Sequence, residues 1–307
     1  MNKTFNKISA LNFLTFSYAL FSLTVNTPVD KTDVYSWIWR IGFKSRIYII
    51  YCMLLSKNRS LKPIVSNIVA VYIIFLIAKQ IADITHYMGI YHNSALSTCV
   101  VSLILILIFV SSDNDIIIRT AYPLWIMTVL SLMVLILFNI NKVTPYNLYS
   151  ISAVKLYNVT LFDYFVPMII ILNNLELNFK NTAFSNILTV ALANIFLIIF
   201  SFSVFSGNYL YSISPLQALF QISGTDLIRN FDALYSFFVL FMYFGTLSML
   251  LWAYKILTMK NKVTQYGFLF LIIPFLFFNT LVSNFLVIVE MFVVVIIFWG
   301  RKENDKT

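Results

Sequence analysis

The sequence predicts an all-α polytopic integral membrane protein, and three observations carry that prediction. Of its 307 residues, 60% are hydrophobic and only 11% are charged. A soluble domain of this length needs far more polar surface. Apolar stretches of about 17–25 residues, the length that spans a bilayer, recur along the chain. Runs such as VSLILILIFV do not alternate polar with apolar positions, which excludes a membrane barrel. The chain reads as one integral membrane domain, 1–307.

Ten candidate spans follow in order, near 8–25, 36–55, 64–86, 94–111, 119–140, 157–174, 184–205, 232–254, 264–279 and 281–299. The second is the least regular, because Arg40, Lys44 and Arg46 interrupt it. A charge at the membrane centre costs about 2.5–3.5 kcal/mol on insertion scales. That helix is read as tilted or half-interfacial, with its basic side chains snorkelling to an edge. The first run has no small-residue cleavage site, so it reads as a span rather than a leader. Seven glycines and thirty phenylalanines point to bulky helix contacts.

The net charge of +9 fits basic cytoplasmic loops better than a nucleic-acid surface. With the N-terminus inside and ten crossings, the inner loops carry Lys3, Lys7, Lys57, Arg59, Lys62, Arg119, Lys180, Lys255, Lys260, Lys262, Arg301, Lys302 and Lys306. The outer loops carry Lys31, Lys142, Lys155 and Arg229. Both termini are therefore expected in the cytoplasm. Cys52 and Cys99 lie in apolar segments and form no metal or disulfide spacing. No phosphate-binding loop, nucleophile elbow or other catalytic constellation is present, and no cofactor is implied. His86 and His92 are six apart, off one helical face.

Ionisable groups within spans are the best functional pointers. Asp163 and Tyr164 stand about one turn before Pro167, which is expected to break the hydrogen-bond ladder of the sixth span. A broken helix near mid-membrane is how transporters build substrate sites. The simpler reading makes Asp163 a helix cap at the interface. Lys79, Asp83 and His86 share a face of the third span, with Lys79 and Asp83 spaced for an intramembrane pair. The simpler reading places all three where that helix meets the outer surface. Glu290 stands alone in FLVIVEMFVVV. Ser17, Tyr18 and Ser22 put hydroxyls into the first span, either for a ligand or for helix contacts. Asp226, Arg229 and Asp232 fall three apart at the mouth of the eighth span. They read as an ion cluster fixing that entry or docking a partner, or else as a solvated cap.

The stretch SPLQALFQISGTDLIRNFDALYSFFVLFMYFGTLSMLLWAYK resembles the eighth-span region of spore-germination permeases, the B-type subunits of nutrient germinant receptors. Pro215, Leu219, Ile222, Ser223, Asp232, Ala233 and Leu234 take the family's places, while Arg229 and Asn230 stand where the family commonly has Glu then Arg. Arg119, Asn147 and Leu148 in NDIIIRTAYPLWIMTVLSLMVLILFNINKVTPYNLYSI match a second stretch, and the opening ISALNFL is similar to the family's start. The resemblance implies a transporter-like bundle of ten helices, with the first five related to the last five by an inverted repeat. That is the fold of the amino acid–polyamine–organocation superfamily. It implies the inner membrane of a bacterial endospore, an A-type subunit and a C-type lipoprotein as partners, and no enzymatic activity. It also implies a small nutrient ligand, such as an amino acid, held near Ser17, Tyr18, Ser22, Asp163 and Tyr164. An active amino-acid transporter is the alternative, and a polytopic polysaccharide polymerase or glycosyltransferase a more distant one.

Overall fold

The computed structural model describes residues 3–25, 34–54, 61–92, 94–145, 164–175, 179–204, 219, 232–258, 262–276 and 286–299. Nearly all of these are helical. In order the helices are α1 (Lys3–Val25), α2 (Val34–Leu54), α3 (Pro63–His92), α4 (Ala95–Ser111) and α5 (Asn114–Asn139). Then follow α6 (Phe165–Asn174), α7 (Phe179–Val204), α8 (Asp232–Thr258), α9 (Lys262–Gly267) and α10 (Leu286–Trp299). A 3-10 turn at Phe268–Leu271 carries α9 onward.

Each apolar stretch of the sequence thus contains a helix. Four stretches are long and apolar enough to cross a membrane: Pro63–Gly89, Asp115–Lys142, Asn181–Val204 and Leu234–Thr258. The chain is a helical membrane protein. Its apolar residues face both ways, as lipid permits. On α5, Ile126, Met127, Leu130, Met133 and Leu137 are exposed, so this helix offers a greasy outer face. In α3 the run 72–81 is buried without a break. A helix apolar all round belongs in the interior of a bundle.

α8 is the central post. It packs against α1, α3, α4, α5, α6 and α9, while α2 lies outside against α7. Side-chain contacts fix the helix directions. Ser66, early in α3, donates to the Leu257 carbonyl, late in α8, at 3.0 Å. At the other end Tyr87 meets Tyr235 edge-on, with ring centroids 5.9 Å apart. α3 and α8 are therefore antiparallel. Ser17 abuts Gly245, and Phe21 packs on Tyr243, so α1 also runs against α8. Lys255, late in α8, donates to the carbonyls of Phe109 and Ser112, where α4 ends and α5 is about to begin. A cation there also suits the negative end of the α4 dipole. Thr144, just past α5, bonds the Ser203 carbonyl near the end of α7. Asn186, early in α7, bonds Asn12 and Thr15 in α1. α1, α3, α5 and α7 thus share one direction.

One sequence expectation changes here. Pro167 breaks no ladder among the described residues. It is the third residue of α6, in a first turn whose amides have no intrahelical acceptor. The first amide to reach back is that of Met168, which bonds the Tyr164 carbonyl at 3.0 Å. The second span is one continuous helix over its 21 residues, with Arg46 exposed. Asp232 is the first residue of α8. Asp163, Asp226 and Arg229 lie outside the described residues.

One close approach sets the central packing. A Cβ on Gly245 would lie 2.6 Å from the Ser17 Cβ and 2.9 Å from its Oγ. Only glycine lets α1 and α8 touch at this crossing, a common use of small residues between membrane helices. Gly245→Val should lower stability by about 1–3 kcal/mol through overpacking, read as a lower unfolding midpoint in detergent. Ser17→Gly in the same chain should recover most of that loss. An unchanged midpoint in the single variant would mean that the two helices do not touch there.

Candidate functional site

Buried polar side chains stand partway along α1, α3 and α7, where these helices pack in the bundle. The level is built outward from α3. Lys79 and Gln80 sit mid-helix, 3% and 0% exposed. Lys79 Nζ is 3.7 Å from Asp83 Oδ2, one turn on along the same face. Lys79 is thus buried within the bundle, while Asp83 is 16% exposed. His86, two turns from Lys79, is the exposed member of that trio. Gln80 Nε2 donates to the Tyr18 hydroxyl of α1 at 3.2 Å. The ring of Tyr18 in turn meets the ring of Tyr164 edge-on, with centroids 6.3 Å apart. Tyr164 directly precedes α6, so this contact joins α1, α3 and α6.

Tyr164 is held from two further sides. Its neighbour Phe165 is stacked on Tyr48 of α2, with centroids 4.1 Å apart and planes at 28°. Glu290 of α10 is 2% exposed and lies within electrostatic reach of Tyr164. α10 itself packs on α3 and α6. Glu290 therefore stands near one of two tyrosines that meet edge-on, and the Lys79–Asp83 pair lies on α3 beside the Gln80 that bonds the other. Carrying them into the interior is costly unless they are paired or hydrogen-bonded.

α7 closes the level from the other side. Asn186 Nδ2 donates to Asn12 Oδ1 and to Thr15 Oγ1 of α1, both at 2.7 Å. Eight residues on, a rise of about 12 Å, is Asn194. Because α7 runs parallel to α1, Asn194 comes level with Tyr18 and Ser22 rather than with Asn12. Asn194 is 1% exposed, and neither atom of its carboxamide has a hydrogen-bond partner among the described residues.

The structure brings Tyr18 and Tyr164 together, with Ser22 one turn along α1 from Tyr18. Ser17 points elsewhere. Its hydroxyl donates to the Phe13 carbonyl at 3.0 Å and its Cβ faces Gly245, so it serves the α1–α8 contact. Asp232 begins α8 thirteen residues before Gly245, about 20 Å from the polar level. Sequence reasoning passed over Gln80, Asn186 and Asn194. The available signal was a carboxamide inside an apolar span, which in a membrane must find partners within the protein.

Comparison with protein-family models, curated proteins and solved structures finds no match for the chain. The class that the fold and site define is accordingly a helical membrane protein with a polar layer at mid-bundle.

Lys79→Met leaves Asp83 without its lysine and should cost about 3–5 kcal/mol, the range for breaking a buried pair. The double variant Lys79→Met with Asp83→Asn should regain most of it. Denaturant titration of the purified protein in mixed micelles reads both. Equal stability of the single variant and the parent would put this pair in solvent.

Proposed function

We propose that the chain is a ligand-binding membrane subunit of a spore nutrient-germinant receptor. It holds a small nutrient, an amino acid by preference, at the polar level and passes the binding signal to partner subunits. The observation that carries this reading is the meeting of Tyr18, Gln80 and Tyr164 at mid-bundle, where α1, α3 and α6 converge. Polar groups placed there are expensive, and a small-molecule site is the usual reason to keep them. A ligand acts on such a bundle by binding one arrangement of its helices more tightly than another.

The inverted 5+5 architecture belongs to the same proposal, and the helix contacts support it. If each helix is matched with the one five places later, most packings map onto others. α1 on α3 matches α6 on α8, α1 on α5 matches α6 on α10, and α3 on α4 matches α8 on α9. α5 on α8 matches α10 on α3, and α4 on α8 matches α3 on the turn after α9. The pairs α1–α6, α2–α7 and α3–α8 map onto themselves. Opposite directions for α3 and α8 are what inversion requires. The packings of α1 on α7, α1 on α8 and α6 on α7 have no such counterpart among the substantial contacts. With ten helical residues against the 23 of α1, α6 reaches fewer neighbours.

Orientation follows the charges. Lys7, Lys62, Arg119 and Lys262 lie at the end where α1, α3 and α5 begin and α8 finishes, and Lys142 lies at the other. The positive-inside rule assigns the first end to the cytoplasm. The A-type subunit and the C-type lipoprotein are the proposed partners, and the endospore inner membrane is the proposed location. A working amino-acid transporter is the second reading. The Lys79–Asp83 pair favours it, since mid-membrane ion pairs serve coupled transport.

Purified protein in nanodiscs should bind one or more radiolabelled amino acids saturably, and proteoliposomes should show no uptake of the bound compound. Uptake would select the transporter, and absence of binding across all twenty amino acids would overturn the amino-acid reading. A cysteine placed at Thr307 should react with an impermeant maleimide only after the membrane is opened. Reaction in intact cells would overturn the orientation.

A further inference from the structure

α2 stands at the edge of the bundle, packed on α7. Among its described side chains the exposed ones are Trp39, Phe43, Arg46, Ile50 and Met53, spaced alternately four and three apart. That spacing keeps a single seam along a helix, the width of one helix contact. Ile41, Ser45, Tyr48 and Cys52 are buried on the opposite side.

Other outward faces differ from this one. α4, α5 and α7 expose adjacent pairs, Val100 with Val101, Ile126 with Met127 and Phe184 with Ser185, so their outer faces are broad. α4 has no charged residue, α5 has none after Arg119 and α7 none after Lys180. Lipid contact asks for such faces. α2 instead carries Arg40, Lys44 and Arg46 and no acidic residue. Arg46 is exposed, and among the described residues no ion pair reaches it.

Depth decides what Arg46 needs. It lies two residues before Tyr48, about 3 Å along the helix. Tyr48 stacks on Phe165, whose neighbour Tyr164 meets Tyr18. These contacts set Arg46 near the height of Tyr18, well inside α1. Within α2 it is twelve residues from Val34 and eight from Leu54, about 18 and 12 Å of helix. An arginine side chain is too short to carry its guanidinium past either end. Snorkelling therefore does not relieve this charge, and an uncompensated arginine in lipid is costly. A carboxylate beside it would relieve it, through the paired N–H···O bonds that a guanidinium forms.

We infer that the Trp39–Met53 stripe of α2 docks one transmembrane helix of a different protein, and that this helix carries an Asp or Glu opposite Arg46. A second copy of the chain does not fit there. Two copies in one membrane run the same way, so a shared α2 seam would set Arg46 against Arg46. The stripe lies apart from the polar level proposed for nutrient binding, so the two readings stand or fall separately.

The test uses the full chain in its native membrane, with benzoylphenylalanine at Phe43 or Ile50 and, as controls, at Leu130 or Met133 of α5. Irradiation should give a discrete protein adduct from the α2 positions and lipid adducts alone from α5. Mass spectrometry should place the protein adduct on a span of another protein that contains Asp or Glu. Arg46→Leu should cut its yield by about tenfold or more, as expected when one member of a buried charge pair is lost. Arg46→Asp should lose it too, and exchange of the partner's acid for Arg should then restore it. Lipid adducts alone at α2, an adduct to a second copy, or a partner span without an acid would each overturn the inference. Purified protein in phosphatidylcholine nanodiscs separates docking from a role in the fold. With no partner present, Arg46→Leu should melt at or above the wild-type temperature. A lower melting temperature would overturn the inference by showing that Arg46 bonds within the chain. Recovery on adding Asp163→Asn would then name Asp163, which lies outside the described residues, as its partner. A wild-type melting temperature raised by phosphatidylglycerol, with no such rise in Arg46→Leu, would assign the guanidinium to lipid phosphate and overturn it as well.

Discussion

Within a bilayer a polar side chain has only other protein groups to bond. That constraint organises this molecule. Backbone amides and carbonyls are satisfied inside helices, which is why helix accounts for nearly all of the described residues. Serines and threonines in the spans follow the same rule. Thr128, Ser131, Ser201 and Thr246 each return a hydrogen bond to a carbonyl four residues back. These hydroxyls add no interhelical bond through that contact. They let polar residues sit in apolar helices at little cost. Longer or charged side chains reach to other helices instead: Gln80 meets Tyr18 within the bundle, and Lys255 meets the carbonyls of Phe109 and Ser112 at its end.

Their gathering depends on how closely two helices approach. Ser17 and Gly245 meet with no room for a side chain at the glycine. That contact fixes α1 against α8 and turns the adjacent Tyr18 toward α3, where Gln80 meets its hydroxyl. On the far side, stacking of Tyr48 on Phe165 holds the start of α6, and so Tyr164, against Tyr18. A small residue and a pair of large ones therefore do complementary things. The glycine sets a spacing, and the aromatic rings fill and stiffen the gap that the spacing leaves. Lipid gives no strong hydrophobic drive for helices to associate, so such fit carries more of the burden than it would in water.

The sequence made the helices legible because their signal is local. The apolar stretch 64–86 lies within Pro63–His92, and 232–254 within Asp232–Thr258. The Lys79–Asp83 spacing was equally readable, being one helical turn. What the pattern left open was depth: the same spacing fits an interfacial pair and an interior one. Pro167 shows the reverse case. A proline in an apolar run reads as a break, yet at the third position of α6 it meets an amide position with no bond to lose.

Composition and apolar run length determined by themselves that the chain is helical and belongs in a membrane, because the bilayer sets a minimum length and forbids unsatisfied backbone. Only the tertiary structure decided that Tyr18, Gln80 and Tyr164 meet, that Ser17 serves packing, and that Asn194 stands level with Ser22. Those facts depend on helix direction, rotation and register between segments as much as 172 residues apart. Hydropathy along one helix carries no record of which neighbour its polar face will meet.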